Sequence, residues 1–192
     1  MNKFLLALFG LSISMSPLSM ADENFYIPDK EHSELIRTLE SVGVDVLVNV
    51  DPCAENIDGR YAWVPYSGEA FLFICQTNSH TNDGLYVKWV ENDYDTLRHE
   101  AAHVIQDCLK GEIGDSKAVN IFNNKEDFSD FISLSLSDET IKSIIETYSI
   151  KFELDDDDVG MELEAYAIAN SISAVKISNL LEGVCSNERG TD

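Results

Sequence analysis

Positive charge is scarce in this sequence, because 13 Lys and Arg stand against 35 Asp and Glu among 192 residues, for a formal net charge of −22 at pH 7. With so few basic residues to neutralise phosphates, we expect neither a nucleic-acid partner nor binding to an anionic membrane surface. Long apolar runs are also lacking, since the longest lies at the extreme N-terminus and is too short for a lasting membrane span. With 44% hydrophobic residues, the length predicts one modest globular domain.

The first 21 residues are typical of a secretory signal. Lys3 supplies the positive charge, residues 4–13 form the apolar segment, and a stretch containing small residues ends at a cleavage point after Ala21. A buried N-terminal helix is the alternative, but the serines and the proline of this stretch would break it. We therefore expect an exported protein, periplasmic or secreted, with residues 22–192 as one domain and no membrane attachment after cleavage.

Cysteine is rare, with four in the chain, and all four lie in the predicted mature part. An even number in an exported chain is most simply two disulfides, for which three pairings exist. Cys53 and Cys75 bracket a strand-rich stretch, whereas Cys108 ends one predicted helix and Cys185 follows another. We favour these two pairs over a zinc site built from cysteines, because the chain has no Cys-x-x-Cys spacing.

Hydrophobic periodicity predicts an α+β fold, in which a small antiparallel sheet region joins a helical half. Apolar residues recur at helical spacing in the later part of the chain, while β-branched and aromatic runs separated by turn signals concentrate before residue 80. The predicted helices are residues 31–42, 93–109, 128–136, 138–150 and a single long helix 159–181, and the predicted strands are residues 44–50, 61–64 and 70–75.

The most informative motif is His99-Glu100-Ala101-Ala102-His103, an H-E-x-x-H on a predicted helix. Two histidines four residues apart lie on one helix face, so both imidazoles can reach one tetrahedral Zn²⁺. Glu100 then lies beside the metal and can accept a proton from a metal-activated water as it attacks a peptide carbonyl. The competing interpretation is an ordinary amphipathic helix whose histidines make hydrogen bonds in the core.

A catalytic zinc of this class needs a third protein ligand. The metzincin continuation is excluded, because it requires Gly and His where the chain has Gln106 and Leu109. The remaining candidates are His80, Asp107, the acidic run 155–158, Glu162 and Glu164.

Glu162 and Glu164 lie on one predicted helix, and residues two apart on a helix point in nearly opposite directions. Glu164 shares its stripe with Ile168 and Ile172, whereas Glu162 lies on a more polar face. A carboxylate on an apolar stripe is costly unless it is paired or bound to a metal, which favours Glu164 as the ligand. A Glu placed near the start of a helix by its dipole is the alternative.

The H-E-x-x-H followed some sixty residues later by Glu164-Ala165 resembles the gluzincin-type zinc metallopeptidases. The chain is also similar to small uncharacterised exported metallopeptidase-like proteins, loosely over residues 45–185 and specifically over 97–108. The residues that carry this likeness are Cys53, Gly59, Tyr61, Cys75, residues 97–100 and 106–108, and Glu164-Ala165. This resemblance implies zinc held by His99, His103 and Glu164 and catalysis by Glu100. We also expect the H-E-x-x-H helix to pack on the long C-terminal helix, because a second helix is the most rigid way to offer a carboxylate. The Glu-x-x-x-Asp continuation of gluzincins is absent, because Ile168 follows Glu164 by four residues.

Several polar residues have supporting roles available to them. Asp107 can orient a ligand imidazole, and Tyr148, Tyr166 or His80 can stabilise the oxyanion of a tetrahedral intermediate. The acidic run 155–158 fails the EF-hand spacing, so helix capping explains it better than calcium.

The function that these features favour is an exported zinc-dependent hydrolase acting on a peptide or protein, and family likeness alone prefers a peptidase to another amide hydrolase. The runner-up is a disulfide-stapled extracellular binding module whose H-E-x-x-H helix holds a structural metal or none. An inactive toxin-like or inhibitor domain is a third hypothesis. The oligomeric state is left open.

Overall fold

The computed structural model describes residues 27–185, apart from residues 52, 54–56, 65–66, 81–82, 110, 112 and 115–117. The predicted secretory signal lies outside the described residues. The fold is α+β, as predicted, with a small sheet and a larger helical part. In chain order its elements are α1 (Lys30–Ser41), β1 (Val44–Val48), β2 (Gly59–Trp63), β3 (Ala70–Ile74), α2 (Glu91–Cys108), α3 (Lys125–Ser135), α4 (Asp138–Ile145), a π-helical segment (Glu146–Lys151), α5 (Asp156–Ser171) and α6 (Ala174–Cys185).

The three strands form a sheet in the order β1-β3-β2. β3 is the central strand because it is the most apolar, and alternate residues Ala70, Leu72 and Ile74 are buried. β2 pairs with β3 in the antiparallel sense, but β1 pairs with β3 in parallel. The expectation of an antiparallel sheet was therefore wrong for one of the two pairings, and the sheet is mixed.

A buried amide pair fixes the parallel pairing. Asn49, directly after β1, adopts a left-handed conformation with φ of 53° and is fully buried. Its backbone N–H donates to Ile74 O at 2.9 Å, its Nδ2 donates to Gln76 Oε1 at 2.9 Å, and its Oδ1 accepts from Gln76 N at 2.9 Å. These bonds hold the ends of β1 and β3 side by side. Hydrophobic periodicity does not predict such a pairing.

The helix α2 lies at the centre of the helical part and packs against α5, α6 and β2. Its residues Leu97, Ala101, Val104 and Ile105 are buried in the main core. The predicted helix 93–109 is confirmed within two residues at its start. α2 is therefore held on several sides, which makes it a rigid support for side chains on its remaining face.

The predicted long helix 159–181 is two helices. α5 ends at Ser171, Ile172 has the extended angles φ −110° and ψ 127°, and α6 begins at Ala174. The break changes the buried face, because Ile177 and Leu181 of α6 are fully buried while Val175 is 43% exposed. α6 thereby packs on α1 and α2, which a straight continuation of α5 would not allow.

Both favoured disulfides are present. Cys53–Cys75 ties the segment after β1 to the end of β3, and Cys108–Cys185 joins the ends of α2 and α6. Among the helices of the described residues, none is long and apolar enough to cross a membrane.

Candidate metal centre

The two histidines of the motif lie one helical turn apart on α2 and point in the same direction. Their rings meet edge to face with centroids 4.8 Å apart, and the two Nε2 atoms are separated by 3.2 Å. Both side chains are largely buried, at 12% and 18% exposure for His99 and His103. The helix thus brings two nitrogen ligands of the kind that zinc prefers to one point.

The carboxylate that faces these imidazoles belongs to Glu162. One of its oxygens lies 3.4 Å from His99 Nε2 and the other 3.6 Å from His103 Nε2. Among the described residues, His99, His103 and Glu162 are the one group of three such side chains whose ligand atoms converge. Glu164, the predicted third ligand, does not lie in this group, and Glu162, which the sequence left as an alternative, lies there instead.

Glu164 is fully buried on the opposite side of α5. Its carboxylate accepts hydrogen bonds from the backbone N–H groups of Ile121 and Phe122, at 2.7 and 3.0 Å, and from Gln106 Nε2 at 3.1 Å. Burial raises the pKa of Glu164, and these donors oppose the rise. The charge on the apolar stripe is thus satisfied by amides, and Glu164 ties α5 to the segment before α3.

The three ligand groups lie close enough together to share one cation. Ligands at about 2.0–2.1 Å from a tetrahedral zinc are about 3.3–3.4 Å from one another. The two Nε2 atoms are 3.2 Å apart, and each lies 3.4 or 3.6 Å from a different oxygen of Glu162. One ligand atom from each of the three side chains lies within 4.8 Å of the other two. Glu162 Oε2 is buried and makes no hydrogen bond among the described residues, so the cluster contains an acceptor with unused capacity.

The pKa values of the cluster show that its side chains stabilise a positive charge between them. Burial opposes protonation of His103, yet contact with Glu162 and the charge of Glu100 outweigh it and raise the pKa of the imidazole to about 9. Burial alone would raise the pKa of Glu162, but the two imidazoles hold it well below its usual range. Three acceptor atoms therefore favour a proton or a metal cation between them.

Gln106, which the sequence reasoning used only to exclude metzincins, orients His103. Its Nε2 donates to Met161 O at 2.9 Å and to Glu164, which leaves its Oε1 to accept from His103 Nδ1 at 2.8 Å. The ring nitrogen directed at the cluster is consequently Nε2. The helical spacing of Gln106 from His103 is a signal that could have identified this contact.

Asp107 does not orient a histidine. Its Oδ2 accepts from the hydroxyl of Tyr61 at 2.6 Å and from Gly114 N at 2.7 Å. It therefore connects α2 to β2 and to the segment that follows α2.

The other candidate ligands also lie outside the cluster. His80 is exposed in its loop. Asp155 caps α5 by accepting from the N–H groups of Asp157 and Asp158, as the capping interpretation predicted.

Glu100 lies next to the cluster and contacts the sheet. It is only 7% exposed, and its Oε2 accepts from the backbone N–H of Tyr61 on the edge strand β2 at 2.7 Å. Close packing makes this possible, because a Cβ on Gly59 would lie 2.4 Å from Thr96 Cγ2 and 3.2 Å from Glu100 Cγ. The edge strand and α2 thus fix the carboxylate beside the two histidines.

A pocket of about 440 Å³ opens on His99 and Glu100. Tyr148, from the π-helical segment, and Tyr166, from α5, line it, with hydroxyl oxygens 3.3 Å apart. The Tyr166 ring also meets the His99 ring edge-on at 4.4 Å. Burial raises the pKa of both phenols, so they remain protonated hydrogen-bond donors at neutral pH.

A family model matches most of the chain. Residues 24–185 match a family described as a domain of unknown function, DUF8637. No curated protein and no solved structure matches the chain.

Proposed function

Since the chain belongs to DUF8637, a family whose description assigns no activity, we propose from its site that it is a zinc-dependent peptide hydrolase with His99, His103 and Glu162 as metal ligands. The supporting observation is the convergence of two Nε2 atoms and one carboxylate at separations of 3.2 to 3.6 Å. Three protein ligands leave one tetrahedral position for water or substrate, which is the arrangement of catalytic zinc sites.

Bound zinc would polarise a carbonyl group and lower the pKa of a water molecule from 15.7 to about 7. Glu100 is the proton carrier in this proposal. Its carboxylate borders both the cluster and the pocket, and the Tyr61 N–H fixes its position. It accepts the proton of the attacking water and then donates it to the leaving amine.

The surrounding residues support these roles. Gln106 holds His103 with Nε2 directed at the cluster, and Glu164 holds Gln106. Tyr148 and Tyr166 present protonated phenols to the pocket, where either can donate a hydrogen bond to a developing oxyanion. The H-E-x-x-H motif, which is the part of the gluzincin resemblance that does not depend on Glu164, supports a peptide or protein as the substrate.

The proposal includes export to the periplasm or the medium. Two disulfides in a chain of this size are typical of an oxidising compartment, and the family match begins just after the predicted cleavage point. N-terminal sequencing of protein recovered from outside the cytoplasm tests this, and a mature chain that retains residues 1–21 would contradict it.

The test of the function compares wild type with Glu100→Gln after both are purified, loaded with zinc and dialysed. We expect about one zinc per chain in each, and cleavage of a mixed synthetic peptide library that falls at least about a hundredfold in the variant. Glu182→Gln on an exposed face of α6 is the matched control and should cleave like wild type. A chelator should abolish the wild-type activity, and added zinc should restore it.

Two results would contradict the proposal. If the purified protein binds no zinc, the proposed metal centre does not exist. One zinc per chain with no turnover of any peptide would instead favour the disulfide-stapled binding module.

A further inference from the structure

The pocket beside the candidate metal centre is asymmetric in its chemistry, which bears on the substrate that the proposed hydrolase accepts. One wall is aromatic and carries Tyr148, Phe152 and Tyr166. The acidic residues Asp58 and Asp95 also line the pocket and form its polar part. An occupant that satisfies both parts needs an apolar stem and a polar end.

The charge on the polar part is negative. Among the described residues, no Lys or Arg lines this pocket. Asp95 pairs with Arg98, which also contacts Glu91 and His32 outside the pocket. Asp58, by contrast, is exposed and makes no ion pair with a described residue.

The aromatic wall suits a cation as well as a hydrocarbon chain. Aromatic faces attract ammonium and guanidinium groups, and the stems of Lys and Arg pack well on apolar surface. The chain itself gives an example at one of these aromatic residues, because Lys151 Nζ lies 5.3 Å from the centroid of the Phe152 ring. The π-helical segment that ends at Lys151 presents Tyr148 on this same wall.

We propose that this pocket binds a basic side chain, Lys or Arg, of a peptide substrate, with its stem on the aromatic wall and its charged end at Asp58. The proposal rests on the hydrolase function, because the pocket borders His99 and Glu100 and therefore receives a residue near the scissile bond. An acidic side chain is disfavoured by Asp58 and Glu100. A purely apolar side chain would fill the aromatic wall but leave Asp58 without a cationic partner.

The molecule as a whole adds to this preference. Its formal charge of −22 attracts cationic peptides over a distance and raises their local concentration, an effect that salt suppresses. A basic residue in the substrate therefore gains from both the pocket and the long-range field.

The test uses blocked peptides that are identical except at one position, which carries lysine, arginine, norleucine or glutamate and is moved along the sequence. We expect zinc-loaded wild type to cleave lysine and arginine peptides with a kcat/KM about fivefold or more above norleucine peptides, and Asp58→Asn to remove most of this ratio. Asp45→Asn, an equal charge change on an exposed residue of β1, is the matched control and should keep the ratio. Higher salt should reduce it.

Binding of the same peptides to zinc-loaded Glu100→Gln protein separates the two proposals. Cleavage without a basic preference overturns the pocket assignment and leaves the hydrolase intact. A second outcome is that no peptide is cleaved, that basic peptides nevertheless bind more tightly than the others, and that adding Asp58→Asn removes this difference in affinity. That outcome would support the pocket assignment and contradict the hydrolase function. Neither cleavage nor selective binding overturns both.

Discussion

Glu162 and Glu164 are two residues apart on α5, so their side chains leave the helix in nearly opposite directions. Glu162 faces two imidazoles and retains an oxygen without a hydrogen bond. Glu164 faces three N–H donors and is fully buried. One carboxylate is thus available to a cation, while the other is committed to holding the fold together.

Replacing each of these residues by glutamine separates the two roles. Glu162→Gln should weaken zinc binding by more than about a hundredfold, since the loss of even a supporting residue costs about 10–100-fold. Glu164→Gln should keep zinc affinity within about tenfold but destabilise the metal-free protein by about 1–3 kcal/mol, because an amide cannot accept from all three donors as a carboxylate does. Zinc titration and urea unfolding in a chelator measure these effects.

Each variant serves as the control for the other, since both remove one charge two positions apart. Loss of zinc affinity in Glu164→Gln with unchanged stability would restore the sequence-based ligand assignment. An equal loss of zinc in both variants would mean that α5 is displaced as a whole.

The sequence predicts most of the candidate site but does not decide between these two glutamates. The motif correctly predicts His99, Glu100 and His103 on one helix, because the i, i+4 relation is local. The pattern also shows that Glu164 lies on an apolar stripe and must be satisfied. It does not reveal the partner, because the donors at Ile121 and Phe122 are about 40 residues away in a segment without periodicity.

At the scale of elements, the contact between α2 and β2 positions Glu100. Gly59 begins β2 where the helix approaches most closely, and a Cβ there would lie 2.4 Å from Thr96 Cγ2 and 3.0 Å from Phe73 O. Since Thr96 bonds through its hydroxyl to Asn92 O, its methyl group is directed by that bond. Any side chain at Gly59 must therefore separate the helix from the edge strand.

Gly59→Ala should destabilise the protein by about 1–3 kcal/mol, the usual cost of overpacking. Thr96→Ser removes the methyl group in the way and keeps the hydroxyl, so the double variant should recover part of this loss. Recovery is partial because Phe73 O stays in place. A double-mutant cycle by urea unfolding measures the coupling between the two positions, and an equal cost of Gly59→Ala in both backgrounds would contradict the contact.

Elements themselves were predictable to different degrees. Strands and helices with a strong period, such as β3 and α2, match their predicted bounds closely. The sequence did not predict the parallel pairing of β1, because this pairing depends on a contact between Asn49 and Gln76, which are 27 residues apart. The sequence did not predict the break at Ile172, because an apolar residue at this position continues the helical pattern. The packing of α6 on the rest of the protein requires an extended conformation there.

At the scale of the whole molecule, repulsion between acidic groups dominates the charge balance. The 35 acidic residues far outnumber the 13 basic ones. Arg37, Arg98 and Lys142 form ion pairs with acidic residues, and the acidic partners are exposed. Screening therefore removes more repulsion than attraction, which determines the sign of the salt effect on stability.

Raising NaCl from about 10 mM to about 500 mM should accordingly raise the unfolding temperature, by about 2–4 °C for each 1 kcal/mol of repulsion that is screened in a chain of this length. The measurement is a thermal scan at pH 7 with a chelator throughout, so that bound metal does not contribute to stability. Sucrose, which favours burial without screening charge, should stabilise equally at low and high salt and so serves as the control. A fall in unfolding temperature with NaCl would mean that ion pairs such as those of Arg98 outweigh the net charge, and that the acidic surface costs the fold little.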